Sequence, residues 1–167
     1  LNISASPYQF QKPDIRVNVC AKAAATLECP AIMCCQVGAN GQIVFDGYSV
    51  YVNEAGELCQ LAKGFQEDEM LVDLEAEKCC VPFEYEPNTN LLEALELGVK
   101  DYYHKCGFDQ ALLGLSGGID SALVAYIAAK ALGPENVTGI SMPSCYTLNQ
   151  SQKDAKEQAE KLGINFL

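Results

Sequence analysis

A chain of 167 residues can hold one domain or two small ones, and 49% hydrophobic with 20% charged residues is a globular rather than a disordered composition. The net charge of −11 argues against a broad nucleic-acid surface, although backbone dipoles can still hold a small anion. No apolar run approaches the roughly 20 residues of a membrane span, and the first residues lack the basic flank and apolar core of a signal peptide.

Residues 1–5 read as a short strand entering a Ser/Pro turn. A helix is predicted from Asp14 to Leu27, with Val17, Ala21, Ala24 and Leu27 on its apolar face and Pro30 closing the segment. "AIMCCQV" predicts a strand, "GANGQ" a turn, and "IVF" and "YSVYV" further strands. "NEAG" turns the chain into "ELCQLA". This first part therefore reads as α+β layering with antiparallel pairs. The acidic, proline-containing residues 66–88 have no clear period and read as a linker. The next helix carries Leu92, Leu95, Val99 and Tyr102 on one face, with Asn90 and Glu93 at capping-box spacing.

The last third alternates strand and helix: "ALLGL", a helix over 119–132 ended by Gly133-Pro134, "VTGISM", a helix from Ser151 to Leu162, and "INFL". Ser151 and Asp154 have capping-box spacing, and Gly163 suits the position just past the helix end. Such alternation with short connections predicts a parallel sheet whose strands are buried on both faces.

The nine cysteines are odd in number and contain no CxxC pair, so neither a disulfide framework nor a zinc ribbon is indicated. Free, mostly buried thiols of a reducing compartment are expected. Cys34 and Cys35 adjoin in a strand, where neighbours face opposite ways, and make a poor joint metal site. His104, the only histidine, reads as an exposed polar residue.

The stretch that carries chemistry is "GLSGGIDSALVA", where a strand meets a helix. Gly117 and Gly118 let backbone approach an anion without a Cβ between them. Ser116 and Ser121 add hydroxyls, and the helix start supplies unpaired N–H groups and positive potential. Asp120 suits a helix start, or a Mg²⁺ that accompanies a nucleotide. Neither GxxxxGK[ST] nor GxGxxG is present.

This loop resembles the pyrophosphatase loop of the N-type ATP pyrophosphatases. "ALELGVKDYYHKCGF", "MPSCYT", "NISASP" with Lys12 after it, and "FDGYS" narrow the resemblance to the glutamine-dependent NAD⁺ synthetases. The resemblance implies an α/β chain. Residues 1–65 would be the C-terminal part of a nitrilase-like α-β-β-α sandwich, and 66–88 the linker. Residues 89–167 would be the first βαβαβ of a doubly wound parallel-sheet ATP pyrophosphatase domain.

It implies a ligase that adenylates deamido-NAD⁺ with ATP and amidates it with ammonia from glutamine. ATP binding falls on Gly114, Leu115, Ser116, Gly117, Gly118, Ile119, Asp120, Ser121, Met142 and Ser144, with Asp120 as Mg²⁺ ligand. Ser6 and Lys12 match glutamine-holding positions, and Tyr102 matches a tyrosine near the dinucleotide. On residue type alone, Lys12 reads as a solvated surface charge and Tyr102 as a core aromatic. The resemblance implies a homo-oligomer with deamido-NAD⁺, ATP and glutamine or ammonia as partners; the free thiols suit the cytoplasm, and charge and hydropathy point to neither nucleic acid nor membrane.

The Glu-Lys-Cys triad of that family is expected upstream of Leu1, since no cysteine here stands in the nucleophile's place. Cys35 replaces a common Asn, and "GANGQI" departs from the family's "GGxDEL". The chain is thus expected to be an internal piece of a longer enzyme, inactive by itself. Two alternatives remain open: another glutamine-dependent ATP pyrophosphatase, which would leave "NISASP" and "FDGYS" unexplained, and a nucleotide-binding piece without turnover.

Overall fold

Residues 1–75, 80–143 and 149–167 are described by a computed structural model of the chain, which divides into two units, Leu1–Ala94 and Leu95–Leu167. The first unit contains β1 (Asn2–Ser4), α1 (Lys12–Leu27), β2 (Ala31–Cys35), β3 (Val37–Asn40), β4 (Ile43–Asp46), β5 (Val50–Val52) and β6 (Leu58–Leu61). A four-stranded sheet runs β1-β2-β5-β6, and β3 with β4 forms a separate hairpin. The pairs are antiparallel as expected, except that β1 runs parallel to β2.

Local chemistry explains where strands stop. The run expected as one strand, "AIMCCQV", breaks at Gln36, whose N–H donates to the Ser4 carbonyl at 3.0 Å and whose own carbonyl accepts from Gly47 at 3.0 Å. The chain can then re-pair from Val37 in the hairpin. The turn there is tighter than "GANGQ" suggests: Asn40 pairs with Ile43, which leaves Gly41 and Gln42 as the loop. Gly41 sits at φ +60°, left-handed backbone that glycine adopts without strain.

Helix α1 starts two residues before Asp14, with Pro13 and Asp14 in its first turn. Its buried face is Pro13, Arg16, Cys20 and Ala24, rotated from the expected one, so Leu27 is exposed. The core of this unit joins Cys20, Ala24, Val50 and Val52, with Met33, Leu58 and Leu61 packed around them.

Residues 80–86 contain neither helix nor strand, yet they are held. Val81 N–H donates to the Leu58 carbonyl at 2.8 Å, the Phe83 ring meets Tyr48 edge-on, and Tyr85 donates to Asp14 at 2.8 Å. Helix α2 (Pro87–Cys106) then begins earlier than expected. Glu86 caps it, its carboxylate accepting the N–H groups of Thr89 at 2.6 Å and Asn88 at 3.1 Å. Those bonds pull the Glu86 carboxyl below its ordinary value, the Thr89 N–H most of all. Asn90, expected as the cap, is instead buried and donates to the Tyr48 hydroxyl at 2.9 Å.

The second unit is β7 (Ala111–Gly114), α3 (Ile119–Leu132), a 3-10 turn at Pro134–Asn136, β8 (Val137–Ile140), α4 (Asn149–Leu162) and β9 (Asn165–Phe166), after the latter part of α2. The sheet order is β7-β8-β9, parallel throughout. Central β8 is the more buried strand. β7 exposes Leu112, against the expectation of burial on both faces.

Ala125, Ala128 and Ala129 of α3 and Ala155 and Ala159 of α4 meet Leu115, Val137 and Ile164 in one core. Small side chains let these helices lie close on the sheet. Helix α4 starts at Asn149, so Ser151 lies inside it rather than capping it. Gly163 takes the left-handed turn at its end, φ +70°.

Candidate functional site: the strand-to-helix loop

β7 ends at Gly114 and α3 begins at Ile119, so residues 115–118 make the turn at the carboxyl end of a parallel strand. That is where open α/β sheets bind ligands. Leu115 anchors the turn from below. Its side chain is buried and its N–H donates to the Ile140 carbonyl at 2.8 Å. Gly139 beneath it has no Cβ to obstruct the Leu115 side chain.

Gly117 lies at φ +80°, and a Cβ there would run into the Ser151 carbonyl. Gly118 is the N-cap of α3, and the first intrahelical bond runs from Ala122 N–H to its carbonyl at 3.1 Å. The N–H groups of Ile119, Asp120 and Ser121 therefore precede the first helical acceptor they could use.

The two hydroxyls are locked in a defined order. Ser121 Oγ donates to the Gly118 carbonyl at 3.0 Å, which commits its only proton. Ser116 must then be the donor across the 3.1 Å gap between the two hydroxyls. Ser116 Oγ in turn accepts from Gly118 N–H at 3.2 Å. The result is a ring of short polar groups that braces the turn with its own protons, and the first N–H groups of α3 are left as donors without a helical acceptor.

The exposed residues Ile119 and Asp120 sit on the first turn of α3. Met142, 79% exposed, reaches the same strand end: a Cβ on Gly114 would stand 3.6 Å from its Cε. The structure thus gathers Gly114 to Ser121 with Met142. Ser144 lies outside the described residues. Tyr102 is not a core aromatic: it is 51% exposed, and its neighbour Tyr103 packs on the core instead.

The profile of the NAD synthase family matches residues 91–167. The glutamine-dependent NAD(+) synthetase of Synechocystis sp. is 44% identical over 172 residues, covering 99% of this chain and 31% of its own length. This chain matches the glutamine-dependent NAD(+) synthetases over nearly its full length. A solved member from Acinetobacter baumannii, in complex with ADP, aligns at TM-score 0.90 and 33% identity, covering 99% of this chain and 33% of that one. A Cytophaga hutchinsonii structure of the same name, 21% identical with TM-score 0.86 over 98% of this chain and 34% of its own, agrees in fold. The chain spans about a third of the length of these NAD(+) synthetases.

Within the first unit, the two residues expected to hold glutamine lie near the end of β1. Ser6 is half-buried, and Lys12 Nζ donates to the Pro7 carbonyl at 2.7 Å. Arg16 belongs to no motif of the sequence, yet it makes a buried ion pair in this unit. Its guanidinium grips the Asp46 carboxylate at 2.7 and 3.3 Å and the Gly47 carbonyl at 3.0 Å, with both side chains buried.

The pair fixes the "FDGYS" turn, where Gly47 and Tyr48 both have positive φ, +70° and +52°. Its only sequence signal is an arginine on a helix face otherwise made of small and apolar residues. Cys35, beside this turn, receives no help as a nucleophile: burial pushes its thiol up despite the attraction of Arg16. Its N–H donates to Ser49 Oγ at 2.9 Å.

Proposed function

We propose that this chain supplies the ATP-grasping loop, and part of the glutamine-handling wall, of a glutamine-dependent NAD⁺ synthetase. The observation that carries the reading is the "SGGIDS" turn. Its glycine at φ +80° and two ordered serine hydroxyls end a parallel strand and open a helix. The helix-start N–H groups that such a turn holds in place suit a pyrophosphate.

The reaction follows from the chemistry of the acid to be amidated. A carboxylate is a poor electrophile. Its oxygen attacks the α-phosphorus of ATP, pyrophosphate leaves with the electron pair of the broken P–O bond, and an acyl adenylate forms. Ammonia then adds at the activated carbon and displaces AMP, which gives the amide of NAD⁺ and releases a proton. In this scheme Ser116, Gly117, Gly118 and Ser121 hold the departing pyrophosphate, the hydroxyls turning from their internal bonds to join the N–H groups of the helix start against its growing charge. Gly114, Leu115 and Ile119 frame the turn, Met142 and Ser144 border the adenosine, and Tyr102 faces deamido-NAD⁺.

Asp120 fits a Mg²⁺ ligand by its chemistry, being an exposed carboxylate beside a loop suited to phosphate oxygens. No group of three metal-binding side chains occurs among the described residues, so the nucleotide's oxygens would complete such a site. When bound, the ion neutralises charge on the phosphates.

In the other half, residues 1–65 belong to a nitrilase-like glutaminase sandwich, 66–88 to a linker, and 89–167 to the synthetase domain. Lys12 and Ser6 receive the carboxylate and polar end of glutamine, a match of cation and hydroxyl donor to an amino acid. On this reading the native enzyme works in the cytoplasm as a homo-oligomer.

The test uses the native protein that carries these residues. ATP–pyrophosphate exchange should require deamido-NAD⁺, and Asp120→Asn should lower it at least tenfold, with a raised Mg²⁺ requirement. Exchange supported equally by xanthylate or aspartate would replace this reading with another ATP pyrophosphatase. Nucleotide binding with no exchange under any acid would leave only a binding role.

A further inference from the structure

We infer that Gln158, on α4, is a positioning residue for the pyrophosphate loop: its side-chain amide fixes the peptide between Gly117 and Gly118. This inference rests on the proposed function. Gln158 Nε2 donates to the Gly117 carbonyl at 3.3 Å. Among the described residues, it is the one side chain from another element recorded as bonding to residues 116–121.

A trans peptide is planar, so its C=O and N–H point in opposite directions. Holding the Gly117 carbonyl toward α4 therefore turns the Gly118 N–H the other way, where it meets Ser116 Oγ at 3.2 Å. This peptide needs such a hold more than most. It joins two glycines, and Gly117 is at φ +80°, so no Cβ resists a flip of the plane. A flipped plane would break the bond from Gly118 N–H to Ser116 Oγ and turn a carbonyl oxygen, a repelling dipole, toward an anion held at the loop.

The orientation of the amide supports the assignment. Gln158 Oε1 is buried and has no hydrogen-bond partner among the described residues. Exchanging the ends of the amide would set Oε1 against the Gly117 oxygen, two acceptors face to face. A buried amide oxygen without a partner is destabilising, and an apolar side chain of similar length would avoid it. Packing alone therefore gives no reason for glutamine here, whereas the Nε2 donor does. The loop leans on α4 a second time, where Gly117 closes on the Ser151 carbonyl. A shallow hollow of about 360 Å³ lined by Gly117, Ile119, Asp154, Glu157, Gln158 and Lys161 adjoins this contact.

Two variants of the native protein test the inference. Gln158→Met keeps the length and removes the donor. Gln158→Glu keeps shape and polarity, but its carboxylate can only accept. Binding of pyrophosphate and of adenosine is measured by calorimetry, with thermal unfolding alongside. Loss of one hydrogen bond should weaken pyrophosphate binding about five- to tenfold in the Met variant, and at least as much in the Glu variant. Adenosine has no phosphate for the loop to hold, so its affinity should stay within about twofold.

Unchanged pyrophosphate binding in both variants overturns the inference, as does a parallel loss of adenosine binding, which would mark a merely structural residue. Should the unaltered protein bind no pyrophosphate, the proposed function fails and this inference with it. Binding by the unaltered protein with no effect of either variant removes the inference alone.

Discussion

In Leu1–Ala94 the most buried polar contact joins two charges, Arg16 and Asp46, whereas the core of Leu95–Leu167 is built largely on alanine. The first arrangement clamps a turn from the side: one guanidinium reaches a carboxylate and a backbone carbonyl, and so fixes the residues that follow β4. The second removes bulk. With Ala125, Ala128, Ala129, Ala155 and Ala159 against the strands, backbone elements come close enough for α4 to touch the loop after β7. A turn whose side chains do the work can be held by a strong side-chain pair. A loop whose own N–H groups are the working parts must be held by close backbone packing.

The largest effect should come from breaking the charge pair. Asp46→Ala leaves a guanidinium buried with no carboxylate opposite it, and removal of one partner of a buried pair costs about 3–5 kcal/mol. Urea denaturation followed by far-ultraviolet circular dichroism should show a loss of that size. Arg16→Met combined with Asp46→Leu should recover much of it, because apolar replacement of both partners removes the stranded charge. A loss below about 1 kcal/mol for Asp46→Ala would mean that water reaches the pair, and the contrast between the two units would collapse.

Gly117→Ala should act less on global stability and more on the loop. An alanine at φ +80° carries backbone strain of roughly 1–3 kcal/mol, and its Cβ is directed at the Ser151 carbonyl. The loop must move away from α4, so ATP affinity should fall at least tenfold while melting shifts by only a few degrees. Gly118→Ala is the sharper control, since Gly118 has ordinary extended backbone and its Cβ would meet only Ser116 Oγ, at 3.3 Å. Equal losses from both substitutions would show that the loop tolerates no side chain, and would weaken the case for α4 as its support.

Much of the second unit was legible because its signals are local. Helix α3 spans the expected 119–132, and "SGGIDS" falls at the strand-to-helix turn where the residue types require it. The first unit was harder to read. Nothing near Arg16 in sequence points to its partner, which lies 30 residues away. Asn90 is a residue type that caps helices, but it lies inside α2 with its side-chain N–H on Tyr48, 42 residues away in sequence, and Glu86 caps instead. The break at Gln36 depends on bonds to Ser4 and Gly47, which no window of neighbouring residues contains. Gln158 was missed for the same reason, 41 residues beyond the carbonyl it holds.

The smallest effect concerns Tyr85, which ties the segment after residue 79 to α1 through its bond to Asp14 at 2.8 Å. Burial, with the Asp14 carboxylate as the second cause, pushes its phenol from an ordinary 10.0 to about 12. A raised value favours the neutral, donating form in the folded chain. The stabilisation is therefore fully present below about pH 10 and is lost as pH rises from there through about 12.

Tyr8 and Tyr48 are also raised by burial, so the Tyr85 signal has to be isolated by difference. The phenolate absorbance of the protein minus that of Tyr85→Phe should titrate as a single group near pH 12. At neutral pH the substitution should lower stability by only about 0.5 kcal/mol, as expected for a hydrogen bond near the surface. A difference curve centred on the ordinary value of 10.0 would mean that the tie to Asp14 does not hold in solution. The first unit would then keep its charge clamp at Arg16 but lose its hold on the chain that leads into α2.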